Sequence, residues 1–255
     1  MERDELLTLI DQAAREGWTR LSLRGRNIAE LPPEIGRLTQ LESLNLGHYW
    51  NSLGQQNHLI SLPAEIGELH RLQYLDLNDN NLSAIPPEIG NLTALRKINL
   101  SRNNLTTLPI EIGNLIALED LNLSRNNLRT FPKSIGRLAQ LKRLDLSRNR
   151  IEVLSHEIEN LIALQSLILS VNQLVTLPPE IGELMALQIL ALDFNQLVKL
   201  PTEIGRLEKL RSLKLENNKL TVLPAEFGCL SDLHILELGN NQLSTLPVEL
   251  GQLSS

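Results

Sequence analysis

Carboxylates are the commonest chemistry-bearing groups that recur in this chain at a fixed spacing. Glu34, Glu65, Glu88, Glu111, Glu157, Glu180, Glu203, Glu226 and Glu249 each return in the setting Leu-Pro-x-Glu-Ile-Gly-x-Leu or a near variant of it. Acid–base catalysis needs carboxylates whose environments differ, so that one keeps its proton while the other loses it. These return singly, in one environment, without a partner His, Lys or nucleophile, so periodicity explains them and catalysis does not. His48 and His58 lack a third ligand of the kind a metal site requires. Cys229 sits in the segment EFGCL with no histidine fixed beside it, and no GxxxxGK[ST] run is present to cradle a phosphate. The residues therefore predict a protein without a catalytic site, a cofactor or a metal.

The carboxylates owe their spacing to a repeat. The stretch Leu95 to Ala117, LRKINLSRNNLTTLPIEIGNLIA, returns along the chain with Leu, Asn, Pro, Glu and Ile in the same places. Ten units begin at Trp18, Leu41, Leu72, Leu95, Leu118, Leu141, Leu164, Leu187, Leu210 and Leu233, and every interval is 23 residues except one of 31. A self-similar period of this length marks a stacked array, because each unit buries its apolar side only against its neighbours. In LxxLxLxxNxL the first six residues alternate, which predicts a short strand with leucines inward and the intervening side chains facing solvent. The Asn that follows, as in Asn103, Asn126 and Asn195, is placed to satisfy backbone groups inside the turn. In LPxEIGxL, Pro stops the strand, Glu favours a short helical turn on the back, and Gly is expected to permit a tight exit. Residues 1–17 stand apart: Leu6, Leu7, Ile10, Ala13 and Ala14 recur at helical spacing and Gly17 follows as a C-cap, which predicts a helix covering the first coil. The expected organisation is a capping helix over 1–17 and ten repeats over 18–255, with an insertion at about 47–58.

Composition narrows the partners. A net charge of −6 over 255 residues gives no general footprint for nucleic acid. No apolar run approaches the ~18 residues that span a bilayer, and MERDELLTLI sets acidic residues before its apolar part, unlike a secretory signal. A single cysteine excludes an intramolecular disulfide and points to a reducing cytoplasm.

The pattern resembles the leucine-rich repeat family, and within it the intracellular 23-residue class whose second half reads LPxEIGxL. Ras-group scaffolds, Scribble-like polarity proteins and the repeat domains of Roco GTPases belong to that class. The resemblance covers residues 18–255. It implies an α/β fold: a right-handed curved solenoid, or horseshoe, with a parallel sheet on the concave face and short helical turns on the convex one. It also implies a habit of binding proteins, with a small GTPase among the partners suggested by the Ras-group likeness, and no chemistry of its own.

Function should then lie where the repeat is broken. The insertion contains GHYWNSLGQQNH, in which Asn51-x-Leu53 and Asn57-x-Leu59 both offer a way back into the coil, and it holds Tyr49 and Trp50, aromatics suited to anchor a partner. The segments FPKSIG (131–136) and LSHEIE (154–159) depart from the back-face pattern, by neutral drift or as a second contact site. On the strand face, the fourth to sixth repeats point Arg96, Lys97, Arg102, Arg125, Lys142, Arg143, Arg148 and Arg150 outward against Glu119, Asp120 and Asp145. Arg102, Arg125 and Arg148 share one column, where an acidic partner or neighbouring carboxylates must offset their repulsion. In the next two repeats that column holds Val171 and Phe194. With Ile168, Ile189 and Ile235 they predict an apolar patch beside a basic one, the anatomy of a protein-binding surface.

The leading expectation is a cytoplasmic interaction module or scaffold gripping an acidic and apolar protein segment, without nucleic acid or membrane. The alternative is the regulatory array of a larger Roco-type GTPase with its catalytic domain beyond residue 255. A bacterial effector with an appended ubiquitin-ligase domain fits less well, because such proteins resemble a shorter repeat. No capping segment follows the tenth repeat, which suggests a fragment or self-association through that edge.

Overall fold

The computed structural model describes residues 1–48 and 55–252. The chain divides into two units, Met1–Asn127 and Leu128–Ser255.

The first unit opens with helix α1 (Arg3–Glu16). Leu6, Ile10 and Ala13 form its buried stripe, and Gly17, at φ 64°, ends it in the left-handed conformation that a side chain would penalise. An Asp11–Arg37 ion pair ties the helix to the first back-face turn. At the helix end the Trp18 indole N–H donates to Glu16 Oε2 at 2.8 Å. That bond, with help from Gln12, holds the Glu16 carboxyl below its ordinary pKa.

Five three-residue strands follow in parallel order: β1 (Arg20–Ser22), β2 (Ser43–Asn45), β3 (Tyr74–Asp76), β4 (Lys97–Asn99) and β5 (Asp120–Asn122). The register is in step, with Arg20 opposite Ser43 and Lys97 opposite Asp120. The middle residue of each strand, Leu21, Leu44, Leu75, Ile98 or Leu121, is buried, while its neighbours, Asp76 excepted, keep some exposure. The second unit repeats the plan with β6 (Arg143–Asp145), β7 (Ser166–Ile168), β8 (Ile189–Ala191), β9 (Ser212–Lys214) and β10 (Ile235–Glu237), again parallel and in sequence order.

Opposite each strand lies a five-residue 3-10 turn, such as Pro87–Asn91 or Thr202–Arg206. Most of these turns follow a proline with extended backbone, as at Pro109 with ψ 150°, and present the repeat glutamate in the first turn. The buried isoleucines, Ile89 and Ile112 among them, are their inward anchors.

The back-face glycine requires a correction. A tight exit would call for positive φ, yet the only glycines with positive φ are Gly17 and Gly25 among the described residues. The glycine is needed because the next coil presses on it. A Cβ on Gly90 would stand 2.7 Å from the Glu111 carbonyl oxygen, and one on Gly182 would stand 2.5 Å from that of Glu203. These separations are below van der Waals contact, so a side chain there would push successive coils apart.

The repeat asparagine does what its spacing predicts, in a directional way. Asn103 is buried; its Nδ2 donates to its own coil at Leu100 O (3.1 Å) and to the preceding coil at Leu77 O (3.0 Å). Its Oδ1 accepts the amide N–H of Leu82, also in the preceding coil, at 3.0 Å. Asn195 repeats the pattern in the second unit, on Leu192 O, Leu169 O and the Leu174 amide. The same test fixes the alignment of the insertion. Asn57 is fully buried, donates to Leu23 O and Leu46 O at 2.9 Å each, and accepts from Ile28 N at 3.0 Å, so Asn57-x-Leu59 is where the coil resumes. Tyr49 and Trp50 lie outside the described residues.

Candidate protein-binding surface

Numbering each repeat from its first residue, Leu95 in the fourth, two strand-face positions control the surface. The fifth residue ends the strand. In β2 to β5 it is Asn45, Asp76, Asn99 and Asn122, and its side-chain oxygen accepts the amide two residues on, as from Gly47 (3.2 Å), Asn78 (3.1 Å), Ser101 (3.1 Å) and Ser124 (3.0 Å). This is an Asx turn, a local satisfaction of a backbone donor where the ladder stops. The eighth residue reverses the chain in left-handed backbone: Asp79 at φ 59°, Arg102 at 55°, Arg125 at 56°. Both arginines are exposed, as is Lys97 on β4.

The strand face of the first unit also holds a closed polar network that the sequence reading missed. Asp76 is 3% exposed and receives Arg24 Nη2 at 2.9 Å and the Tyr74 hydroxyl at 3.3 Å. Arg24 Nε also donates to Asn45 Oδ1. His48 Nδ1 stands 3.4 Å from Asp79 Oδ2.

The second unit begins in the same manner, with Asp145 accepting the Ser147 amide at 2.9 Å and Arg148 at φ 55°. Then the fifth position becomes Ile168 and Ala191, which have no oxygen to offer. The eighth becomes Val171 and Phe194, at φ 58° and 55°. Phe194 is 53% exposed and Ile189 on β8 is 41% exposed. Ile168 and Val171 are half-buried rather than fully exposed. Arg143 and Arg148 are exposed on the β6 coil, and Arg211, absent from the sequence-based set, is exposed on the β9 coil. The recurrence of Asn or Asp at 45, 76, 99, 122 and 145, and its failure at 168, is the sequence signal that marks this change.

The back face of the second unit accounts for its irregular segments. Glu157 accepts from the Ser155 hydroxyl, and Lys133 Nζ and His156 Nε2 lie 3.3 and 3.2 Å from its Oε1. The serine bond, chiefly, then a backbone bond and the two cations lower its pKa to about 2. Lys133 therefore compensates a glutamate of the next coil. Beside this cluster a cavity of about 500 Å³ is lined by Phe131, Val153, Leu154 and Pro178. Where Glu159 replaces glycine, a cleft of about 440 Å³ collects Glu180, Glu183 and Glu203, with Arg206 bonded to Glu183 at 2.6 Å. Among the described residues no group of three or more His, Cys, Asp or Glu could hold a metal ion, and no helix is long and apolar enough to cross a membrane.

Family models described as leucine-rich repeat region and leucine rich repeat match residues 52–123 and 87–169, and 185–253, respectively. A leucine-rich repeat protein of Leptospira interrogans is 40% identical with a TM-score of 0.83, over 89% of this chain and 56% of that one. The chain belongs to the leucine-rich repeat family. The repeat ectodomain of the Arabidopsis thaliana receptor kinase GASSHO1/SCHENGEN3, solved with CASPARIAN STRIP INTEGRITY FACTOR 2, is 31% identical (TM-score 0.69), over 94% of this chain and 32% of that one. The plant peptide hormone receptor RGFR1, solved with RGF2, is 28% identical (TM-score 0.69), over 94% and 43%. This leucine-rich repeat chain thus spans little more than half of the Leptospira protein and less than half of the receptors. No curated protein matches it. The fold is of a kind that typically serves protein–protein interaction, with the surface positions of its strands free to vary while the leucine and asparagine lattice stays fixed.

Proposed function

We propose that this chain is a protein-interaction module that binds through its strand face and performs no reaction. The observation that carries the reading is an exposed aromatic and aliphatic group, Phe194 and Ile189, set with Ile168 and Val171 beside the exposed cations Arg143 and Arg148. Apolar anchors with charged surroundings are the usual anatomy of a binding hot spot. In the first unit Lys97, Arg102 and Arg125 form a basic field suited to acidic side chains. Tyr49 and Trp50 are proposed as additional anchors. One receptor named above was solved in complex with CASPARIAN STRIP INTEGRITY FACTOR 2 and another, a plant peptide hormone receptor, with RGF2, which supports a protein or peptide partner here, with a small GTPase as one candidate.

The test takes a partner captured from the native lysate and measures its affinity for the wild-type chain, Phe194→Ala and Arg148→Glu. Each substitution should weaken binding about tenfold or more if it removes a hot spot. Unchanged affinity in both would overturn the strand-face reading.

A second reading, the regulatory array of a larger Roco-type GTPase, draws support from the greater length of the relatives. A P-loop motif encoded downstream of residue 255 would support it, and a stop codon there would remove it. The lone Cys229, exposed and free, favours a reducing compartment such as the cytoplasm. Residues 1–17 are proposed as the cap of ten repeats over 18–255, and exposed Leu246 and Val248 as a place for self-association.

A further inference from the structure

Exposure alone does not distinguish the apolar strand-face residues, since Ile162 on the back face, at 65%, exceeds Phe194. The backbone beneath them does. The eighth position of the repeat has positive φ from Asp79 through Asn240, and Asp79, Asn217 and Asn240 show the residue types that accept this at low cost. Val171 occupies it at φ 58°, although a β-branched side chain is the type least suited to that conformation. Phe194 occupies it in the next coil. At the fifth position of these same two coils Ile168 and Ala191 stand where β2 to β6 carry the Asn or Asp that caps the strand-ending amide, and the two coils after them carry the polar Lys214 and Glu237 there. Two local preferences are thus set aside in β7 and β8, and of the residues involved Phe194 is exposed and Ile168 and Val171 are half-buried, while Ala191 is buried.

We propose that Ile168, Val171, Ile189 and Phe194 form a dedicated docking patch, kept at the expense of local stability, for an extended partner segment with a bulky apolar residue flanked by carboxylates. The proposal rests on the strand-face reading above and specifies its occupant. Charge complementarity sets the flanks: Arg143, Arg148 and Arg150 are exposed on the coil before the patch and Arg211 on the coil after it. Between them the outward positions are Gln165, Gln173, Gln188 and Gln196, and the one carboxylate, Asp193, accepts the Ser170 hydroxyl at 2.6 Å. A recess for the bulky side chain lies further along the face. Ile189 and Ile235 both register against the short, buried Ser212, so two exposed isoleucines flank a gap one residue wide. Arg148 and Phe194 are two coils apart, about 10 Å at ordinary strand spacing, which an extended chain covers in about three residues. The expected ligand therefore places Asp or Glu about that far from its apolar anchor.

The experiment uses the full chain, a phage-displayed random short-peptide library and three variants: Ile168→Asn/Val171→Asn, Phe194→Asn and the back-face control Ile162→Asn. Restoring residues suited to the local backbone should raise the Tm of the double variant by about 2–4 °C. Peptides enriched on the wild-type chain should carry the acidic and apolar spacing, bind Ile162→Asn unchanged, and lose tenfold or more in affinity on the other two variants. A lower Tm in the double variant would overturn the claim that the patch is kept against stability. Enriched peptides that ignore both patch variants yet weaken on Arg148→Glu would overturn the patch and leave the strand-face reading standing. Peptides indifferent to all of these changes, or of basic composition, would overturn both. A library yielding no binder would overturn the extended-segment occupant.

Discussion

The two units use one lattice to present different faces. In the first, the strand face is polar and locally self-satisfied: Asn99 and Asn122 each accept a serine amide and its hydroxyl, and Arg24 is bonded to a nearly buried Asp76. In the second, β7 and β8 hold Ile168 and Ala191 at the same positions and carry Val171 and Phe194 at the left-handed corner, before Lys214, Asn217, Glu237 and Asn240 restore polar residues in the last two coils. The buried half of each coil does not change between them. Surface chemistry in such an array is therefore set by a few side chains per coil, and a coil that gives up its own polar closure does so without disturbing the leucines below it.

That comparison is sharpened first by the part held in common. Asn103→Ala and Asn195→Ala each strip buried carbonyls and one amide of their partner, and each should cost about 3 kcal/mol or more in urea unfolding. The two losses should agree; a clear difference would mean that the lattice is not equivalent in the two units. A smaller effect tests the part that differs. Asn122→Ala should destabilise by about 1 kcal/mol, as loss of a comparable cap does, whereas Ile168→Asn should act in the opposite direction. Equal signs would break the contrast.

The smallest effect is a titration confined to the second unit. Glu157 has a folded-state pKa of about 2 against an ordinary value of 4.5. Its contribution to stability is then fully present above pH 4.5 and is lost as pH falls toward 2. Removing the hydroxyl in Ser155→Ala should move the carboxyl titration upward, as read by NMR, and narrow that window. A midpoint near the ordinary value in the wild-type chain would dissolve the cluster as described.

The lattice was legible because its demands are chemical: leucine at alternating positions and an amide that both donates and accepts leave a period in the sequence. The insertion was not, since Asn51-x-Leu53 and Asn57-x-Leu59 satisfy the same pattern and only the burial of Asn57 separates them. The back-face glycine was assigned the wrong reason, because a sequence carries no distance between coils and the crowding of Gly90 against Glu111 is such a distance. Arg, Val and Phe at the eighth position gave no hint of left-handed backbone, as none of them favours it. Phe194 was read as outward-facing from its place in the repeat and is 53% exposed, and the price of holding Val171 in the coil before it was visible only in φ.

The asparagine ladder gives the array a grain. Asn103 closes the Leu82 amide and the Leu77 carbonyl of the coil before it, and Asn126 in turn closes the Leu105 amide and the Leu100 carbonyl. Each coil is thus finished by its successor. A chain emerging amino-terminus first would complete every turn only when the next one arrives, so within each unit folding has a built-in direction, and fraying should run the opposite way, from the later coils toward the earlier.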